Sequence, residues 1–445
     1  MNNLPAWLKL NKVLVLVLLG VLAAGLFYSF HFQIRPVVDA RAYDVIATNL
    51  ASGHGYREDL DKSLAQDFAI VRVGPLYEYF LAGLYKVFGH YYQIVWVAQA
   101  LLHAASAWLI YLVSLLIFSA QANRKKIALW AAIFFGFYPD LIEISAMLLT
   151  ETLYLFLMCL ALYVFFLYFR KQTVWLTVIS GVVFGLAALA RPPVLLFIPI
   201  VLFYLYKKRL RQKAVLFLFV LLAVFLPWTA RNYQLYHKFM PFGAAGAFNF
   251  WIGNYHGGSG EQEATAAQYD FLASHPVSDI NNESLRQFKN FLVSYPAEFV
   301  KLTLLRADKY FSVLRPSGFW FYQTGLGQFL FVACSALASM ILFVLGAGGF
   351  IKAFRSKNEP LLYLLAFTVA TPLVIIVSVV ETRYRFQVYP FLAVLGGFFI
   401  VWLKSRAGWW KEKVLWLAIL LVFSNAFIDF TLSLVKIRER LNNFF

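Results

Sequence analysis

Charge is scarce in this 445-residue chain, and acid is the scarcest part of it. Asp and Glu number 22 against 39 Lys and Arg, and the four types together make up 14% of the sequence. A soluble chain carries roughly a quarter charged residues, so water is not the main solvent here. Cysteine is almost missing. Cys159 and Cys334 both sit inside apolar runs with no CxxC or Cys/His ligand spacing, which excludes a disulfide scaffold and a structural zinc site. The seven histidines are scattered and none has ligand spacing, so no metal site is assigned. There is no internal repeat, and the inverted halves with matched broken helices found in many secondary transporters are missing as well.

What is abundant is apolar surface. The chain is 61% hydrophobic, and its runs of about 18 or more apolar residues each suffice to cross a hydrocarbon core of roughly 30 Å. The Lys and Arg residues gather between those runs: Lys9 and Lys12; Arg124 to Lys126; Arg170 and Lys171; Lys207 to Lys213; Lys352 to Lys357; Lys404 to Lys413. Only two acids, Glu359 and Glu412, accompany these clusters. That is the positive-inside pattern, and it places the N-terminus in the cytoplasm. It also accounts for the net charge of +17 without nucleic acid, which would need a basic face outside the membrane. The expected fold is an all-α polytopic membrane protein of about eleven spans: 8–31, 91–119, 126–139, 148–169, 174–190, 193–206, 214–231, 327–351, 360–380, 387–403 and 414–434. The first reads as a retained signal anchor. The chain 1–445 forms one integral membrane domain, with long external segments at 32–90 and 232–325.

Two surface helices are expected in the first external loop. Asp39 stands where an N-cap belongs and Gly53 where a helix closes, and Tyr43, Ile46, Ala47 and Leu50 form an apolar stripe suited to a membrane surface. A second helix from Pro75 to Phe88 puts Leu76, Tyr79, Phe80, Gly83, Leu84 and Val87 on one face. Asp39, held near the headgroup plane, is either a plain helix cap or a general base for a substrate hydroxyl; the two are compatible. Glu151, at the outer end of an apolar run, is the second candidate carboxylate. Asp44 is the weaker candidate, and Asp140 and Glu143 read as solvated. Arg72, Arg191, Arg383 and Arg385 lie on the outer side, against the topology bias, and forked guanidinium donors suit a phosphate. The alternative is snorkelling, or pairing with Glu381. The stretch from Asn249 to Gly260 mixes Trp251, Asn254 and glycines, as a mobile sugar-binding loop or an interfacial aromatic belt would.

These residues fall into a series: Asp39-x3-Tyr43, Ala47-x2-Leu50, Gly53-x-Gly55-Tyr56, Arg72-x2-Pro75-Leu76-Tyr77 and Phe88-Gly89. Leu149-Thr150-Glu151, Leu189-Ala190-Arg191-Pro192, Pro227-Trp228-x2-Arg231-Asn232, Asn249-Phe250-Trp251-x-Gly253-Asn254 and Arg383-Tyr384-Arg385 follow. Their order and loop placement resemble the GT-C glycosyltransferases, in the branch of the protein O-mannosyltransferases and the lipid A aminoarabinose transferase. The resemblance implies a polyprenyl-phosphate sugar donor, an extracytoplasmic sugar, lipid or protein acceptor, and a bacterial inner-membrane location. It implies Asp39 as the catalytic aspartate of the first loop, with Tyr43 and Arg72 beside it. It departs from the mannosyltransferases at Asp39-Ala40, where they carry Asp-Glu, so Glu151 is carried forward as a possible second acid. Together the residues suggest an inverting transfer, with Arg72, Arg191, Arg383 and Arg385 on the donor phosphate and Tyr43, Asn249, Trp251 and Asn254 on substrate. No cofactor is required, although a divalent ion beside Asp39 is compatible with the sequence. The rival from another class is a secondary transporter or lipid flippase, which would put its ionisable residues near mid-membrane.

Overall fold

A computed structural model describes residues 12–72, 74–244, 246–313 and 325–442. Lys9 and the start of the first expected span lie outside the described residues, as do 314–324 of the second long segment and 443–445 of the tail. Among the described residues all regular secondary structure is helical, apart from one isolated bridge between Glu261 and Val380. Eight helices are long and apolar enough to cross a membrane, from Lys12–Phe32 to Lys413–Leu432. A ninth is possible if Arg124–Gly136 and Pro139–Ser145, bent by 57° at their junction, are one span. The remaining two expected spans correspond to the shorter apolar helices Val174–Ala190 and Pro192–Lys207. All eleven expected positions are therefore helical, while length and composition support eight or nine crossings.

The bend in the third span has a local cause. Tyr138 precedes Pro139, and a residue before proline is pushed out of the helical region; its ψ is 121°. The bent segment then packs on Lys12–Phe32 and Tyr92–Ile117. This buries Asp140 and Glu143, contrary to the solvated positions expected for them; a Ser335 hydroxyl donates to Asp140. Tyr92–Ile117 lies between Arg124–Gly136 and Thr150–Leu167, and Val174–Ala190 packs along Arg211–Tyr236. Gly325–Phe354 and Tyr389–Lys404 close the other side of the bundle.

The first loop departs from expectation in a way that matters for the site. Helix Asp39–Ala51 forms and ends at Gly53 (φ 83°), as its sequence requires. Its apolar stripe is not on a membrane surface. Tyr43, Ile46 and Ala47 are buried under helix Leu76–Phe88, each large side chain contributing roughly 1.5–3 kcal/mol. Helix Leu76–Phe88 is turned over too: it buries Tyr77, Leu81 and Tyr85, and leaves Tyr79 and Val87 exposed. Aromatic packing of Tyr43 edge-on to Tyr77 at 5.7 Å fixes this choice of face. Asp39 is not a cap. Val38 holds the N-cap position at φ 48°, and no side chain caps the helix. A β-branched residue at positive φ is strained, and the strain sits directly before the candidate aspartate.

The second long segment folds as helices Gly246–Ile252, Ala266–Ser274, Ile280–Ser294 and Pro296–Tyr310. It is pinned to the bundle by Arg306, a fully buried guanidinium. Arg306 donates to the Ile376 carbonyl, to the Gly253 carbonyl at 2.6 Å and to Asn254 Oδ1 at 2.9 Å. Only glycine fits at 253, where a Cβ would come within 2.0 Å of the Ser378 oxygen. The segment around Asn249 to Asn254 is thus clamped rather than mobile. Arg306→Lys keeps the charge but offers one ammonium where three nitrogens served. We expect it to cost about 2–4 kcal/mol through orphaned carbonyls, read as a fall in Tm in detergent; an unchanged Tm would contradict the strut.

Candidate functional site

At the end of the bundle where the two long segments meet, a cavity of about 570 Å³ opens, and Asp39, Tyr43, Arg72, Arg191, Asn249, Glu381 and Arg383 are among its walls. Each arrives from a different element. Asp39 and Tyr43 come from the first-loop helix, and Arg72 from the end of the 3₁₀ turn Phe68–Val71. Arg191 lies at the break between two short helices, extended at φ −152° because Pro192 follows it. Gly74 lets the first loop lie against that break, since a Cβ there would fall 2.0 Å from the Leu189 oxygen. Arg383 sits in the 3₁₀ turn Thr382–Val388, which opens the next span.

The charges interlock. Arg383 Nη2 donates to Asp39 Oδ2 at 2.6 Å, and Arg72 Nη1 lies 3.5 Å from Asp39 Oδ1. Arg72 also grips Glu58 with its fork, Nε at 2.6 Å and Nη2 at 2.9 Å. Arg191 pairs with Glu151 and lies over the Tyr384 ring at 5.2 Å. Arg383 Nε donates to Glu381 Oε2 at 3.0 Å and is 3.8 Å from Glu151 Oε1. Three guanidiniums face four carboxylates, and an exposed Arg35 adds a further cation to the cavity rim. Burial pushes the Asp39 carboxyl up, but Arg383, then Arg72 and Arg191, outweigh it and hold it below the usual carboxylate range. Glu381 goes the other way. Burial raises it, Arg383 opposes, and the nearby Asp39 and Glu151 charges add to the rise.

Of the residues singled out from sequence, Asp39, Tyr43, Arg72, Arg191, Arg383 and Asn249 are brought together on the cavity wall. Glu151 reaches the group from behind, through Arg191 and Arg383, and does not line the cavity. Arg385 does not line it either. It is buried, donating to Tyr389 Oη at 2.6 Å, to Ser339 Oγ at 3.1 Å and to the Ser312 carbonyl. Two arginines one residue apart in a 3₁₀ turn cannot both face the same space, since that turn repeats every three residues. Trp251 packs edge-on to Phe271 at 5.1 Å. Asn254 spends its amide on the Phe250 and Ser378 carbonyls at 2.8 and 3.0 Å, so its role is to hold the chain. Asp44 lies off the cavity and accepts from Tyr85 and Tyr92 hydroxyls at 2.6 and 2.8 Å, with His90 Nε2 at 2.9 Å. Glu381 and Glu58 were not singled out as site residues, nor were Lys309 and Lys436, both of which pair with Glu261. For Glu381 a signal existed: it lies two residues before Arg383 in the same outer-side stretch.

Among the described residues no group of three or more His, Cys, Asp or Glu is placed to hold a metal ion. Both Asp39 oxygens already face guanidiniums.

Residues 72–230 match the family described as dolichyl-phosphate-mannose-protein mannosyltransferase. The archaeal oligosaccharyltransferase AglB from Archaeoglobus fulgidus, solved with an inhibitory peptide and a dolichol-phosphate, superposes with a TM-score of 0.54 at 14% identity. That overlap covers 95% of this chain and 56% of AglB. The chain has the GT-C fold. A second structure of the Archaeoglobus fulgidus oligosaccharyltransferase, tethered to an acceptor peptide, gives a TM-score of 0.52 at 16% identity over 95% of this chain and 54% of that one. The chain thus spans about half the length of the structures it matches. No curated protein matches it in sequence.

Behind Tyr77 and Tyr43 lies one more buried acid. Glu78 is fully enclosed and accepts from Tyr56 Oη at 3.1 Å. Burial pushes its carboxyl up to about 8, against the hydrogen bonds from its own backbone and Tyr56. The folded form therefore binds this proton more tightly than the unfolded chain. The stability it contributes is complete below the ordinary value of 4.5 and is lost as pH rises toward about 8. Glu78→Gln should flatten that loss, so that Tm in detergent changes less between pH 5 and pH 8 than in the wild type. Superimposable profiles would show that Glu78 is not the titrating group.

Proposed function

We propose that this GT-C chain is an inverting glycosyltransferase that moves a sugar from a polyprenyl-phosphate donor to an extracytoplasmic acceptor. The observation that carries the reading is Asp39 on the cavity wall in the grip of Arg383 and Arg72, with Arg191 beside them. An arginine fork matches two phosphate oxygens as well as two carboxylate oxygens. A donor phosphate entering the cavity therefore competes with Asp39 for Arg383 and Arg72. As it takes them over, Asp39 loses the charges that hold it down and becomes a stronger base. The acceptor hydroxyl or amine then gives its proton to Asp39 as its oxygen or nitrogen attacks the anomeric carbon. The bond from that carbon to the phosphate oxygen breaks, and its electron pair leaves with the phosphate. Attack opposite the leaving group inverts the anomeric centre. Arginines fixed in place before the reaction stabilise the charge growing on the phosphate, and they do so more strongly in a dry site than in water.

The setting supports this reading. AglB carries a dolichol-phosphate in its structure, and the site here lies at the ends of apolar spans, within reach of a lipid-linked phosphate. The acids and arginines gather at one end of the bundle rather than mid-span, where a transporter or flippase would use them. The basic inter-span segments support a cavity on the outer side of a bacterial inner membrane. Tyr43 and Asn249 line the cavity, which supports a role for them in contacting the sugar. No step in this scheme passes through a metal.

The test is transfer of a radiolabelled sugar from a panel of polyprenyl-phosphate hexoses and pentoses by the purified protein, with and without chelator. We expect activity with at least one donor, retained in EDTA. Asp39→Asn should lower kcat by about 10²–10⁴-fold, and Arg383→Ala should raise the donor KM. Full activity in a folded Asp39→Asn variant would remove Asp39 from the base role; absence of transfer from every donor would defeat the reading itself.

A further inference from the structure

The guanidinium edge of Arg383 is used in an unusual way. Nε and the adjacent Nη form a side-on fork that suits one carboxylate bidentately, and Arg72 uses it so, holding both oxygens of Glu58. On Arg383 the same edge is split: Nε serves Glu381 at 3.0 Å and Nη2 serves Asp39 at 2.6 Å. Two carboxylates are thereby set side by side on one positive charge, and both line the cavity. Glu381 has little freedom to move away. Its backbone is extended, and the Val380 amide before it is tied to the Gly260 carbonyl at 3.2 Å.

Resting on the glycosyl-transfer reading above, we infer that Glu381 is the proton partner of Asp39, so that the two carboxylates act as a coupled pair carrying one proton in turn. Crowded anions hold a proton jointly and titrate as a pair. The groups facing Glu381 favour this. Arg383 and Tyr384 lie on its own turn, Asp39 on the first-loop helix and Glu151 on helix Thr150–Leu167. Arg191 stacks on Tyr384, and Lys309 on the far wall is already paired with Glu261. The upward push on Glu381 and the downward push on Asp39 point the same way. The proton balance is simple. The acceptor loses one proton to Asp39 as the new bond to the anomeric carbon forms and the phosphate departs with its electron pair. Asp39 hands that proton to the neighbouring Glu381 carboxylate and is ionised again, and Glu381 then gives it to water or the departing phosphate.

The experiment is the pH dependence of kcat for wild type, Glu381→Gln and Glu381→Asp, with Tm of each in detergent and with Asp39→Asn as the reference for loss of the base. Removing the neighbouring anion takes away a charge that opposes ionisation of Asp39. The acidic limb of the profile should therefore move to lower pH by at least about one unit in Glu381→Gln, with kcat down at least about tenfold and donor KM within about threefold of wild type. Glu381→Asp, which draws the charge back, should shift the limb the same way by less. If only one of the two variants folds, its limb alone decides. An unmoved limb in a folded variant overturns the pair, while an inactive wild type overturns the transferase reading instead.

Discussion

Arg383 is where the chain's two distant parts are tied. Its guanidinium joins Asp39, 344 residues earlier, to Glu381 and the span that follows. The first loop, the Arg-Pro-Pro break at 191 and the clamped second segment each have a reason to meet where they do once that contact is made. A buried guanidinium with a single carboxylate would satisfy itself and stop there. Shared between acids and set in a cavity wall, it leaves an arrangement whose partners can be exchanged. An ion pair withdrawn from water is stabilising only when its geometry is good and its remaining hydrogen bonds are met, and here Arg383 serves two acids at once. Such a network resists collapse without a ligand, yet a phosphate with two free oxygens can rearrange it.

The near balance of charge also changes what the arginines mean. From the sequence they look like free cations waiting for a phosphate. In the fold Arg72 holds Glu58, Arg191 holds Glu151, and Arg383 holds Asp39 and Glu381. On the proposed reading a ligand phosphate enters by substitution, and the group it displaces from Arg383 and Arg72 is the carboxylate proposed as the base. Binding and activation become one event: Asp39 is restrained while the donor is absent and is released when the donor arrives.

Much of this was legible in the sequence, and the gaps have physical causes. The helical membrane architecture followed from apolar run length. Asp39, Arg72, Arg191 and Arg383 were found because charge at a span end demands a reason. What periodicity could not settle was the buried face of the two first-loop helices. Both faces of Leu76–Phe88 carry aromatics, and the choice of Tyr77 over Tyr79 depends on Tyr43 from another element. Asp39 was expected to cap its helix because aspartate does so well; a guanidinium arriving from the far end of the chain outcompetes a backbone amide. Arg385 and Asn254 look like site residues by type, but their donors are consumed by carbonyls and hydroxyls that only the fold brings near. Glu381 shows the converse, a plausible bystander in sequence that the turn aims into the cavity.

The central claim is that Asp39 and the donor phosphate compete for the same guanidiniums. Equilibrium binding of polyprenyl phosphate to purified wild type and to Asp39→Asn tests it most directly. The carboxamide cannot hold Arg383 and Arg72 as a carboxylate does, so the variant should bind the lipid phosphate several-fold more tightly even as it loses transfer. Equal or weaker binding by a folded Asp39→Asn protein would contradict the account.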